Sequence, residues 1–414
     1  MSEDTRFVNI RFIKTRNAVF ITELLNEPLW TLFYLFVFIL HKDLHASAFQ
    51  VGLFTMLRPV VGIASMYWSS TLARKPHKVL SNLIWSGILS RVAFFFFPFI
   101  DNPWIFLISV IFYATLKRGG VPAWLEILKM NLPKKSRGNI ISWSSALGYV
   151  EGIALAIGVG YMLDHHSGSW RWMFPVSAFI GILGVFLQAR IPLEGIKKEV
   201  PEEDHFCIKK IIDPWKDAYL LLKERQDYRF FQVGVMICGV GIMVIQPALP
   251  IFFLDVLGLS YTDLAIALSV WRGVGYAFTS PIWGKLFSRF DIYKLCFVIF
   301  VLMGLFPICL LAATTNVIWV YIAYLIYGSA QAGFHLCWNL AGPMFSQDKN
   351  SSPFSSVMLL MMGIRGCFAP PLGSLLVVLF GPVLALVAGV LFCSYSSIRM
   401  LQREKRKIVL IEDN

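Results

Sequence analysis

The sequence predicts an all-α membrane protein of about twelve transmembrane helices in two pseudo-symmetric six-helix bundles. Three observations predict it. The 414 residues are 57% hydrophobic and 15% charged, whereas a soluble globular chain carries about 25% charge. Apolar runs of about twenty residues, the length that crosses a bilayer, recur with short connectors from one end to the other. The first six runs and the last six also match at one constant offset. Glycine and proline are scattered and aromatics reach 15%, so disordered and fibrous classes fall away with the soluble enzymes.

Charge, proline and glycine bound the runs in order. The first half has spans over Ala18–Leu40, Ala48–Leu72, Val79–Ile100, Trp104–Leu128, Ile140–Leu163 and Trp172–Ala189. The first is too long for the apolar core of a signal peptide, no small-residue cleavage site follows it, and it is expected to be a true span. A polar stretch from Arg190 to Tyr228 interrupts the series. Within it, Asp213 and Pro214 read as a helix cap and first position, followed by Trp215, Ala218, Tyr219 and Leu222 at helical spacing beside Lys216, Lys223 and Arg225. That pattern predicts an amphipathic helix on the cytoplasmic membrane surface, with linking of the halves favoured over regulation. The second half has spans over Phe230–Leu254, Asp263–Trp283, Leu295–Ala313, Val317–Ala341, Ser355–Leu379 and Pro382–Ile398. The expected domains are an N-terminal bundle (1–189), the linker (190–228), a C-terminal bundle (229–400) and a tail (401–414).

The net charge of +12 is an orientation signal. With the N-terminus inside, 29 of the 37 lysines and arginines fall in cytoplasmic segments, two (Lys42 and Arg171) on the opposite face, and six inside spans. The positive-inside rule therefore puts both termini in the cytoplasm of a plasma (inner) membrane, and nucleic acid is not an expected partner. All seven cysteines lie in spans or on the cytoplasmic side without a C-x-x-C, which predicts neither disulfides nor a thiolate metal site. No cofactor is expected: P-loop, nucleophile elbow, zincin and dinucleotide motifs are all missing, so the chain does not read as an enzyme.

An offset of 214 residues carries Arg58, Ser70 and Leu72 onto Arg272, Gly284 and Leu286. The same offset carries Lys117, Gly119 and Trp124 onto Gln331, Gly333 and Trp338, and Glu151 and Gly152 onto Arg365 and Gly366. One offset across ungapped helices reads as two parallel repeats, the arrangement in which one half rocks against the other. Four connectors then carry a resemblance. Gly284 to Lys294 resembles G-x-L-x-D-R-x-G-R-(R/K), and Ser70 to Lys78 is a shorter, degenerate copy. Pro133 to Gly138 resembles P-x-x-x-R-G, and Trp170 to Phe174 resembles W-R-x-x-F at the start of the sixth span. Together and in order they resemble the major facilitator superfamily of secondary transporters over nearly the whole chain. The departures are Arg74 and Ser288 where the loop acid belongs, and no proline in Gly148 to Ala154, so the drug/proton antiporter signature is missing.

Ionisable groups at membrane depth cost roughly 2.5–3.5 kcal/mol on insertion scales and normally face a partner or a watery cavity. Arg58, Arg91, Lys117, Arg118, Arg272 and Arg365 lie near mid-depth with Glu27 and Glu151, and Glu23 lies one turn nearer the cytoplasm. The excess of cations predicts an anionic solute, a carboxylate or a phosphate. Glu23 and Glu27 share one helix face, beside the backbone break at Pro28, and either serve coupling or pair with Arg58, Lys117 or Arg118. Arg91, on a span the resemblance makes peripheral, reads as structural or as facing lipid headgroups. Glu151 and Arg365 occupy repeat-matched positions, as a bridge between halves or, for Glu151, as a proton site. Gln331, His335 and Asn339 form a polar stripe at four-residue spacing, which Arg272 and Gln246 extend, and Trp124 is an expected stacking surface.

The expected function is secondary transport of a small, anionic solute by alternating access. The candidate binding residues are Arg58, Lys117, Arg118, Trp124, Arg272, Gln331, His335, Asn339 and Arg365, with Glu23, Glu27 and Glu151 for coupling or salt bridging. The expected partners are that solute, a coupling proton or sodium ion, and membrane lipids, around a monomer. The competing readings are a transporter-like sensor or scaffold signalling through the linker, and a carrier of lipid headgroups.

Overall fold

The computed structural model describes residues 3–73, 78–193, 209–287, 289–346 and 352–412. Every regular element among them is helical. In chain order these are α1 (Glu3–Lys42), α2 (Ala48–Ala73), α3 (Val79–Val92, prolonged by a 3-10 segment over Ala93–Phe99), α4 (Pro103–Asn131), α5 (Lys134–His165) and α6 (Trp170–Ala189). Next come α7 (Lys209–Glu224), α8 (Gln226–Ile245, followed by a short helix over Ala248–Ile251 and a π-helical turn over Phe252–Val256), α9 (residues 261–287), α10 (Ile292–Ala312), α11 (Ile318–Ser346), α12 (Ser352–Phe380) and α13 (Pro382–Glu412). Among the described residues nine helices are long and apolar enough to cross a membrane, all except α2, α7, α9 and α11. With α2, α9 and α11 the bundle reaches the expected dozen.

Local chemistry starts several of these helices. Asn102 accepts the Trp104 N–H at 2.9 Å ahead of Pro103, which fits the first turn of α4 because it has no N–H to leave unpaired. Ser260 and Asp263 close a capping box at the start of α9, and Asp291 accepts the Tyr293 N–H at 2.9 Å to open α10. The linker helix departs from expectation: α7 begins at Lys209, upstream of the Asp213-Pro214 pair expected to start it. Ala218 of α7 is buried in the core beneath it, while Trp215 and Tyr219 stay exposed.

The chain packs as two units, one of Met1–His45 with Val61–His205 and one of Ala46–Val60 with Phe206–Asn414. The start of α2 thus groups with the second unit, where Ala48 packs against the cluster of Ala248, Val377 and Ala385. Within the first unit α1 packs on α5 and α6, and α3 packs on α4 and α6. The second unit repeats these pairings: α8 packs on α12 and α13, and α10 packs on α11 and α13. Lipid solvates apolar surface as well as protein does, so close packing and polar contacts hold such bundles. In the first unit the packing is aromatic, with Phe33, Phe36, Phe94, Phe97, Phe106, Tyr113 and Phe174 in mutual contact. The second unit is built on Phe231, Ile299, Phe300, Ala330 and Cys337.

Two connector arginines have structural work. Arg137 donates to the Lys129 and Leu132 carbonyls, each at 3.0 Å, and so closes the end of α4 where carbonyls lack partners. Arg171 donates to the Ile100 carbonyl at 2.6 Å and to Asp101, and stacks on Trp170, joining the start of α6 to the loop after α3. Residues 74–77 and Ser288, the departure points of the loop motif, lie outside the described residues.

Candidate functional sites in the two helical units

In the first unit the acids of α1 lie against a glycine-lined strip of α5. A Cβ on Gly148 would stand 3.1 Å from Glu23 Cγ, and one on Gly152 would overlap the Glu27 carboxylate. Gly148 and Gly152, one helical turn apart, let the backbone of α5 approach and leave room for both acid side chains. Glu151, beside Gly152, acts electrostatically on Glu27, and Lys117 of α4 acts on Glu23. The structure therefore brings Glu23, Glu27, Glu151 and Lys117 together. None of the four has an ion-pair partner within 4 Å among the described residues, and Glu151 Oε2 is buried without a hydrogen bond. Arg118, the next residue, is exposed and has no such partner among the described residues either.

Arg91 belongs to the packing. It is 1% exposed, donates to Asn26 Oδ1 and to the Gly87 carbonyl, and its guanidinium occupies the space left by Gly181. It ties α3 to α1 and α6, so of the two readings offered for it the lipid-facing one is excluded. Trp124 is half-buried between two apolar clusters of the same unit, against residues such as Ala18, Ile127, Val19 and Leu128.

In the second unit the approach of α9 to α11 is closer still. A Cβ on Gly275 would overlap the Leu325 carbonyl, and one on Gly328 would meet the backbone of Arg272 and Tyr276. A π-helical stretch, Ile266–Trp271, runs directly into Arg272, an irregularity common at functional positions. Arg272 acts electrostatically on Tyr324 and Tyr327, and one turn on the Tyr276 hydroxyl and His335 Nδ1 share a hydrogen bond of 3.0 Å. Gln331 Oε1 is buried without a hydrogen bond. Arg272, Gln331 and His335 thus sit on one helix pair.

Arg365 lies elsewhere in that unit. It is 5% exposed, donates to the Val235 carbonyl at 3.0 Å, and fills the notch made by Gly239, so it joins α12 to α8. The side chains of Arg58 and Asn339 lie outside the described residues. Tyr276, Tyr324, Tyr327 and Asn26 were missed from the sequence. The helical spacing of Tyr324, Tyr327, Gln331 and His335 is the signal that finds these four positions on one face.

The sequence model of the Major Facilitator Superfamily matches residues 19–370, with a further match over 231–409. The chain belongs to the major facilitator superfamily. No curated protein matches it in sequence. Several solved transporters share the fold. A variant of the nucleoside transporter NupG superposes with a TM-score of 0.71 at 12% identity, covering 94% of this chain and 98% of that one. The peptide transporter POT in complex with sulfate gives 0.69 at 12%, covering 94% and 93%. A bacterial homolog of the human lysosomal transporter Spinster gives 0.60 at 14%, covering 97% and 95%. At such identities the likeness establishes the fold alone. Major facilitator membership makes the chain a multi-pass membrane protein with a transporter fold.

Proposed function

We propose that this protein is a secondary active transporter of a small anionic solute, a carboxylate or a phosphate, working by alternating access with proton coupling. Both termini are assigned to the cytoplasmic side of a plasma (inner) membrane, and the working form to a monomer. Lys117, Arg118, Arg272, Gln331 and His335 are the proposed solute contacts, joined by Arg58 and Asn339. Glu23, Glu27 and Glu151 are the proposed proton carriers. Glu151 and Arg365 are, in addition, repeat-matched opposite charges.

One observation carries the reading: three carboxylates and a lysine cluster at membrane depth without an ion pair among the described residues. A purely structural role calls for closed bridges, because each charge at mid-membrane costs roughly 2.5–3.5 kcal/mol. Such bridges exist elsewhere in the chain, between Arg171 and Asp101 and, at 2.8 Å, between Arg225 and Asp227. The open cluster also supplies a coupling logic. A proton on Glu23 removes negative charge beside Lys117 and leaves that cation to attract an anion. By reciprocity, a bound anion favours protonation of the acid. Both loads then travel together, which is symport.

The test is uptake into proteoliposomes that enclose a pH-sensitive dye, driven by the solute that most stabilises the purified protein. Acidification that accompanies uptake, lost in Glu23→Gln or Glu27→Gln while solute exchange persists, is the expected result. Coupled uptake that survives Glu23→Gln, Glu27→Gln and Glu151→Gln together removes the carboxylates from the mechanism.

A further inference from the structure

Most described arginines outside the polar centres have an oxygen to donate to, but Arg399 near the end of α13 has none among the described residues. Arg399 and Arg403, one turn apart, both stand over the ring of Phe230, with their guanidinium carbons 4.6 and 5.6 Å from its centroid. Among the described residues Arg399 has no hydrogen-bond acceptor, and its Nε is buried without one. Arg403 donates to the phenol oxygen of Tyr293, whose own hydroxyl proton goes to the Asp227 carbonyl at 3.0 Å. Asp227, the neighbouring acid, is held at both carboxylate oxygens by Arg225. Phe230 and Tyr293 meet edge to face at 6.1 Å, so the ring under both arginines is itself packed against the phenol beside Arg403.

Stacking fixes a planar guanidinium and directs its remaining N–H groups sideways as a fork suited to phosphate oxygens. Two such forks on one ring, at the end of a membrane span where its apolar stretch gives way to charge, stand at headgroup depth. We propose that Arg399 and Arg403, floored by Phe230 and Tyr293, bind the phosphate of an anionic phospholipid. The site lies wholly within the second unit and differs from the proposed solute contacts in residues and in depth. Its ligand belongs to the bilayer, whose acidic leaflet attracts basic groups at this level. A headgroup phosphate there fastens α13 to α8, and the protein gains stability from the lipid by mass action.

The test uses the full-length protein in nanodiscs of phosphatidylcholine alone and of phosphatidylcholine mixed with phosphatidylglycerol. Thermal unfolding is followed in each, and retained lipid is counted by native mass spectrometry. The expected result is a higher unfolding midpoint and retained phosphatidylglycerol in the mixed discs, both lost in Arg399→Gln/Arg403→Gln. The same two readouts are expected to persist in Lys216→Gln/Lys223→Gln, which removes charge from the exposed side of α7. Loss in the α7 variant, with retention in the α13 variant, overturns the assignment in favour of diffuse surface attraction. Inorganic phosphate that reproduces the shift in phosphatidylcholine discs overturns the lipid source and leaves a soluble phosphate. If the glutamine pair fails to fold, Arg399→Lys/Arg403→Lys decides the matter. It keeps the charge and loses the fork, so retention of phosphatidylglycerol equal to wild type contradicts the proposal and a reduced count supports it.

Discussion

Substituting alanine at two helix-interior glycines is expected to have opposite effects on stability. At Gly328 an added Cβ would lie 2.9 Å from the Arg272 carbonyl carbon and 3.0 Å from the Tyr276 nitrogen. The added carbon would also overlap the Arg272 carbonyl oxygen, and ordinary contact begins at 3.4 Å, so the backbone of α9 must retreat by well over the difference between 3.4 and 2.9 Å. Backbone atoms cannot swing aside as a flexible side chain can. Overpacking of this kind costs about 1–3 kcal/mol. At Gly158 of α5 nothing lies within 4 Å of the added carbon, and alanine there gains about 0.5–1 kcal/mol from helix propensity. Each kcal/mol moves the midpoint of a unit this size by about 2–4 °C. Gly328→Ala is therefore expected to unfold about 2–12 °C below wild type and Gly158→Ala at or slightly above it, measured by intrinsic fluorescence of detergent-purified protein. Equal midpoints for the two variants would refute the close approach of α9 and α11 that brings Arg272 and Tyr276 beside Gln331 and His335.

Three further outcomes follow from the same geometry. Asn26→Ala strips the buried Arg91 of its side-chain acceptor and is expected to cost about 1.5–3 kcal/mol, read as a lower unfolding midpoint. Gly152→Ala meets the flexible end of Glu27 and is expected to alter proton-coupled uptake more than it lowers the unfolding midpoint, when both are measured on one preparation. Asp101, 89% exposed, is expected to tolerate alanine within about 1 kcal/mol, whereas Arg171→Ala costs more because it also loses the Ile100 carbonyl and the Trp170 ring.

The spans were legible because a bilayer imposes one length and one composition on every crossing. The repeat was legible because Lys117 and Gln331, or Glu151 and Arg365, keep their register along uninterrupted helices. What each charge touches was not legible, since it depends on helix rotation and on glycines of a neighbouring helix. Arg91 and Arg365 look alike in sequence to Arg118, yet Gly181 and Gly239 make room for the first two inside the packing, while Arg118 remains exposed. Trp124 shows the same limit: the repeat aligns it with Trp338, but apolar clusters surround it. The start of α7 at Lys209 shows that a cap-like Asp-Pro pair does not exclude a further turn before it. The π-helical stretch before Arg272 has no sequence mark that separates it from ordinary helix.

The solute itself is the most direct arbiter. The purified wild-type protein and its Lys117→Gln variant are screened together for thermal stabilisation by small carboxylates, phosphates, cations and neutral metabolites. Transport of an anion through the open cluster of charges predicts that one carboxylate or phosphate class raises the wild-type midpoint and leaves the variant unmoved. Stabilisation by neutral or cationic compounds alone, equal in both proteins, would contradict it and shift the binding role to Gln331 and His335.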